Sequence, residues 1–236
     1  MAWCARRVSD TCCCWVGLLV LLVIGQAATA EVVCKLHMEG FGFDYGIRKA
    51  HVSCTGGVIK AVAHPLLAPL VGAKTGVQSA GVQWLDKCEP EWTSRCLLMV
   101  CNGSDATFMS TTVMHLNVLG LAAGAKNSTP CILCMGYNSS LTFRDALFDS
   151  NAGRAVSGGG ALHIKASRFT NNVVPGEKHH GGVVYAEAGT TVIESSSFIG
   201  NGVKYRGGAI AVVGEARLKV LSSVFEGNKG VLMRAG

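Results

Sequence analysis

Cys131-Ile-Leu-Cys134 places two thiols three positions apart. That C-x-x-C spacing serves either thiol–disulfide exchange or half of a zinc site. Exchange chemistry calls for a thioredoxin-like βαβ setting, which the flanking sequence lacks. Zinc calls for two more ligands at finger-like spacing, and none follows, so a structural disulfide role is the reading preferred for both cysteines. His179-His180, in the stretch "VVPGEKHH", could hold a metal. No Cys or third His stands near them, and a solvated loop is the competing and preferred reading. The carboxylates open to a lyase or glycoside hydrolase are Asp145, Asp149, Glu177, Glu187, Glu194, Glu215 and Glu226. Such enzymes gather acidic and basic groups on one surface, with Ca²⁺ or paired carboxylates. Arg144 and Asp145 are adjacent but read as a solvated surface pair. Gly158-Gly159-Gly160 has no Lys-Ser/Thr after it and reads as a turn, not a phosphate loop. No metal, cofactor or catalytic residue is therefore expected.

The elements that would carry any site must be small and numerous. The chain has 236 residues, of which 30 are glycine and only 5 are proline, and charged residues make up 15%. That balance suggests short buried strands joined by tight turns. Residues 1–30 read as a signal peptide. Arg6 and Arg7 form the basic region, "WVGLLVLLVIG" the apolar region, and Ala28-Thr29-Ala30 a cleavage pattern ahead of Glu31. The apolar run is shorter than the roughly 20 residues a membrane helix needs, although an uncleaved anchor is the rival reading. No later segment is long and apolar enough to span a bilayer. Secretion or display at the cell surface follows.

After cleavage seven of the eleven cysteines remain: Cys34, Cys54, Cys88, Cys96, Cys101, Cys131 and Cys134. An oxidising compartment would pair most of them, and an odd number leaves one over. Their connectivity stays open. Asn102, Asn127 and Asn138 head N-x-Ser/Thr sequons, with Pro130 weakening the second, and are candidate glycosylation sites. The mature charge is +5, from 19 basic and 14 acidic residues after Ala30. The Lys and Arg show no run or aromatic interleaving, so no nucleic-acid partner is expected.

A phrase then recurs: Phe148-x-x-Asn151, Phe169-x-x-Asn172, Phe198-x-x-Asn201 and Phe225-x-x-Asn228, at spacings of 21, 29 and 27. Each Asn is followed by a glycine turn, at Gly153, Gly181-Gly182, Gly207-Gly208 and Gly230. From that turn to the next Phe the distance is 16, 17 or 18 residues, while the stretch between Asn and glycine varies. A constant block with one variable loop describes a repeated coil that tolerates insertion. Seven and five residues before each Phe stand Leu141 and Phe143, Leu162 and Ile164, Thr191 and Ile193, Leu218 and Val220. That period of two is a strand with one buried face.

The expected fold is all-β: a right-handed parallel β-helix over residues 111–236, with a Cys-rich N-terminal cap or irregular coils over 31–110. Stacked coils would line up the Phe rings as an internal ladder. The Asn would occupy left-handed turn positions and bond adjacent backbone, and the glycines would make tight corners. Upstream the phrase fades. Met114 and Leu116 stand seven and five residues before Leu121, which would replace the ladder Phe, with Gly124 in place of Asn. "NKGVLMRAG" begins a further coil without completing it, which suggests a fragment or truncated product.

The stretches "GGVVYAEAGTTVIESSSFIGN" and "GGAIAVVGEARLKVLSSVFEGN" resemble the repeats of chlamydial polymorphic outer membrane proteins, whose signature is GGA[ILV] followed by FxxN. They also look like arrays in secreted β-helix proteins of the pectate-lyase-like superfamily. The resemblance covers about residues 140–236, and Arg154 and Val231 depart from the paired glycines. It implies the β-helix fold and leaves activity open. The preferred function is non-catalytic: adhesion, recognition, or extracellular-matrix or wall structure, with glycans or cell-surface proteins as partners. End-to-end contact through the open C-terminal coil is a further expected association. A polysaccharide lyase or glycoside hydrolase is the alternative, and a membrane-anchored receptor fragment the third reading. The polygalacturonase-like paired Asp and Gly-His-Gly are missing from the sequence.

Overall fold

The computed structural model describes residues 31–42, 46–57, 59–63, 82–84, 88, 95–122, 129–174, 182–203 and 207–230. The signal segment, Asn127, Gly124, Glu177, His179, His180 and Gly181 lie outside the described residues.

The chain is a parallel β-helix. Its strands form four stacks, and the chain visits them in turn. The first holds Asp105–Met109, Ser140–Arg144, Ala161–Lys165, Thr190–Glu194 and Arg217–Leu221, all parallel. The second holds Thr112–Met114, Leu147–Asp149, Arg168–Thr170, Ser197–Ile199 and Val224–Glu226. The third is narrow: Val173–Val174, Gly202–Val203 and Lys229–Gly230. The fourth holds Cys96–Val100, Cys131–Met135, Arg154–Gly158, Val184–Ala186 and Ile210–Val212.

Register follows the repeated phrase. Leu141, Leu162, Thr191 and Leu218 pair in one row, and Phe143, Ile164, Ile193 and Val220 in the next. These inward positions alternate with outward ones, as in Ser140–Arg144, where Leu141 and Phe143 alone are buried. Alternate residues on a pleated strand point to opposite faces, so each coil contributes one apolar stripe to a continuous core.

Upstream of Cys131 the register differs from the one the sequence suggested. Phe148 pairs with Val113, not Leu121, and Phe143 pairs with Phe108. Leu121 lies instead in a short 3₁₀ turn, Leu119–Ala122, and is buried. The earlier coil keeps the inward pattern, with Ala106, Phe108 and Val113 buried, while losing the side-chain identities that mark it. An apolar strand position asks only for volume, so Val substitutes for Phe without changing the backbone path.

The corners also correct an expectation. None of the four repeat Asn residues has positive φ; the left-handed residue is the one just before it. Ser150, Asn171, Gly200 and Gly227 hold that place, with φ of 53°, 52°, 65° and 61°. A second left-handed corner sits three residues before each ladder position, at Ser110, Asp145, Ala166, Ser195 and Ser222. Each coil thus turns twice through a region that side chains other than Gly enter at some cost.

At the N-terminal end, Val33–Gly42 forms an antiparallel hairpin with Gly46–Thr55. The first strand of that hairpin lies parallel to Thr107–Phe108 and then to Thr112–Met114, so it covers the first and second stacks together. Ile59–Ala63 runs antiparallel to Cys96–Val100 and covers the fourth. Open strand edges are thereby occupied at this end. The hairpin carries the Cys34–Cys54 disulfide; Cys88 bonds Cys101, and Cys96 bonds Cys134. Among the described residues no helix is long and apolar enough to cross a membrane.

Candidate functional site

The repeat side chains converge inside the solenoid. Phe148, Phe169, Phe198 and Phe225 stack with centroids 4.9, 4.7 and 5.0 Å apart and rings parallel within 3°. That spacing is the distance between strands, and it offsets the rings in the arrangement aromatic quadrupoles favour. Phe143 meets the ladder edge-on, 5.4 Å from Phe148.

Beside the rings runs a chain of amides with a fixed direction. The Asn172 Nδ2 donates to the Phe148 carbonyl at 2.9 Å and to Asn201 Oδ1 at 3.0 Å. The backbone N–H of Asn172 donates to the same Oδ1 at 3.1 Å. Asn151 treats Asn172 identically, and Asn201 treats Asn228 identically. Each carbonyl oxygen therefore accepts two bonds from the coil before it. At the start of the series, Asn151 Oδ1 accepts from Leu116 N–H at 3.0 Å. Asn151, Asn172 and Asn201 are at most 1% exposed, and burial on this scale requires that every amide atom be satisfied.

A third ladder escaped the sequence reading. Ser167, Ser196 and Ser223 each stand two residues before a ladder Phe. The Ser167 Oγ accepts from Ala146 N–H, Ser196 Oγ from Ser167 N–H, and Ser223 Oγ from Ser196 N–H, at 3.1, 3.0 and 3.1 Å. Each hydroxyl donates to the carbonyl two residues back. The signal was present as Ser-x-Phe in "SRF", "SSF" and "SVF".

Of the turn glycines, Gly153 has φ of 129° and Gly207 of 73°. A Cβ on Gly182 would strike the Ala209 backbone and the Gly207 carbonyl, and one on Gly208 would meet Lys229 backbone at 2.8 Å. The pair is required by the closeness of the next coil. Gly230 ends the third stack. Where the pair is broken, Arg154 is 4% exposed and lies over the Tyr185 ring, 3.9 Å from its centroid.

Among the described residues Cys131 is the free cysteine; it is buried, and its thiol donates to the Leu133 carbonyl at 2.9 Å. Burial pushes its pKa from about 9.0 up to about 12, against the opposing pull of the Arg154 and Arg95 charges. Burial also lowers the pKa of Arg154. Cys131 sits opposite Cys96 in register, yet the Cys96 bond goes to Cys134, so C-x-x-C is split between one thiol and one disulfide. A thiol so protonated is a poor nucleophile.

The carboxylates are dispersed. Asp149 accepts from Ser150 and from Thr170, Glu194 pairs with His163 at 3.5 Å, and Asp145 occupies a left-handed corner. Arg144 pairs with Glu31 at 3.7 Å rather than with Asp145. Glu215 and Glu226 are exposed, and Glu187 is half-buried. Among the described residues no three His, Cys, Asp or Glu stand together as a metal site. Asn102 and Asn138 occupy exposed turns at one corner of neighbouring coils, each just past paired strand ends at Val100 and Met135.

No family model matches the chain, and no curated protein or solved structure matches it either.

Proposed function

We propose that this chain is a non-catalytic, secreted or surface-displayed β-helix that binds glycans or cell-surface proteins, or contributes to a matrix or wall. The observation that carries this reading is the outward face of the first stack. Thr142, His163, Val192 and Lys219 form one straight row, and Met109, Arg144, Lys165, Glu194 and Leu221 another. Rows repeating at about 4.8 Å present a long, even surface of mixed charge, suited to an extended polymer. Three disulfides fit an oxidising compartment. The resemblance of the repeats to chlamydial surface-protein repeats supports the same reading, as do the exposed sequons at Asn102 and Asn138.

The test is to probe the purified chain against a glycan array and intact cells while assaying the same polysaccharides for new reducing ends or unsaturated products. Saturable binding without product supports the proposal, and binding should weaken when Arg144, Lys165 and Lys219 are replaced together by Ser. Release of product would overturn it in favour of a lyase or hydrolase.

A further inference from the structure

Asn102 and Asn138 head sequons at the same corner of successive coils, yet they hold different places in the turn. Val100 pairs with Met135 and Asp105 with Ser140, with four residues between them in each coil. Asn102 therefore corresponds to Tyr137, and Gly103 corresponds to Asn138. We propose that Asn138 carries an N-linked glycan in the secreted chain and that Asn102 carries none.

The first place in the turn lies down along the solenoid. A Cβ on Gly136 would strike the Asn102 Oδ1, and one on Gly159 would strike the Tyr137 ring, so each side chain rests on a glycine of the next coil. The second place turns away from the coils. Gly103 and Asn138 hold it in the left-handed region, with φ of 68° and 56°. Asn enters that region more readily than most side chains. A Cβ on Gly103 would meet nothing within 4 Å among the described residues, and Asn138, at the equivalent place, is exposed. The turn that follows is shorter. Gly158 pairs with Met135 and Ala161 with Ser140, so only Gly159 and Gly160 lie between, and Asn138 stands beyond them. The sequon hydroxyls differ in the same sense. Ser140 is half-buried on the outward side of its strand, next to inward Leu141. Ser104 is buried, and Cys101, just before the Asn102 sequon, is tied to Cys88.

Such a glycan is added as the unfolded chain enters a secretory compartment. The Asn138 Nδ2 attacks C1 of an oligosaccharide carried on a lipid diphosphate. The N–C1 bond forms, the C1–O bond to phosphate breaks, the diphosphate leaves and the amide gives up one proton. The unfolded chain offers both sequons, and folding discriminates between them. A sugar on Asn138 extends into solvent and leaves the strands undisturbed. A sugar on Asn102 would sit at the Gly136 contact, between coils only about 4.8 Å apart. Folding would then have to lift that side chain off the next coil. The inference rests on the reading of the chain as secreted or surface-displayed, and not on what its outward rows bind.

The experiment expresses the full chain in a eukaryotic secretory host and collects the folded product. Its glycans are removed by a peptide amidase in water enriched in heavy oxygen, which leaves a labelled Asp wherever a glycan stood. Peptide mapping should find label at Asn138 and none at Asn102. Asn138→Gly installs the residue that the preceding coil uses at this place, and Ser140→Ala keeps the asparagine. Each should remove one glycan and leave circular dichroism unchanged, whereas Asn102→Gln should leave the glycan content as it was. Equal label at Asn102 and Asn138 would overturn the proposal, as would an unlabelled Asn138 in chain that reached the lumen. Chain retained in the cytosol would overturn the secretory reading instead. Exchanging residues 1–30 for a proven cleavable leader then tests Asn138 by the same two criteria.

Discussion

Asn172 receives from one neighbour what it gives to the next. Its carbonyl accepts two bonds from Asn151, and its amide satisfies Phe148 and Asn201. Asn172→Leu keeps the volume and removes all of these, stranding buried donors on Asn151. The expected loss is roughly 2–4 kcal/mol in urea unfolding, since a buried donor left unmade costs about 1–3 kcal/mol. Asn228→Leu strands the same pair of donors on Asn201, which is fully buried, while its own amide is half-buried, so it should cost about 1–3 kcal/mol. A loss below about 0.5 kcal/mol at both sites would show that the amide ladder does not hold the coils together. Cys131 gives a prediction in pH. Its folded pKa of about 12 exceeds the ordinary value near 9.0, so the folded state holds the proton more tightly. Stability is then complete below pH 9 and falls as pH rises through the window from about 9 to 12, because the unfolded thiol ionises first. In Cys131→Ala that alkaline slope should diminish, which denaturant melts across the window would detect. Alkylation by iodoacetamide at pH 8 should be slow until the chain is unfolded.

The strand–corner–strand unit was legible where identity was fixed by two demands at once. Phe148 and its successors must be large, apolar and flat, and Asn151 and its successors must donate and accept in one small space. Such positions repeat in kind. Gly182 is legible for the same reason: a methyl there would enter the backbone of Ala209. Gly182→Ala should therefore lower the thermal midpoint markedly, whereas Gly103→Ala, where nothing stands within 4 Å, should cost only the strain of its φ of 68°. Scanning calorimetry on the two variants makes the comparison. Val113 and Leu116 were illegible because their positions ask only for apolar volume. The left-handed corners at Asp145, Ala166, Ser195 and Ser222 were illegible because different residues tolerate them under pressure from the surrounding ladder. The Ser-x-Phe signal needed no structure and was overlooked beside the stronger Asn.

In the molecule as a whole, each coil touches only the coils on either side, so protection should be graded along the axis. The hairpin and the Cys34–Cys54 disulfide hold the N-terminal edge. Amides of Ser140–Arg144 and Ala161–Lys165 should exchange most slowly, and those of Arg217–Leu221 and Val224–Glu226 fastest. Hydrogen exchange followed by mass spectrometry would show this order, and uniform protection across the five strands of the first stack would contradict it. The overall architecture could be read from four copies of one phrase. The cap could not, since its strands are stacked on the coils without sharing their sequence. The one-way amide ladder carries a consequence for synthesis. The ribosome releases the N-terminal coils first, and an emerging coil delivers its Asn oxygen to donors already waiting on the coil behind it. The chain can consequently wind up in the order it is made, each turn completing its predecessor, with only the newest turn left wanting a partner.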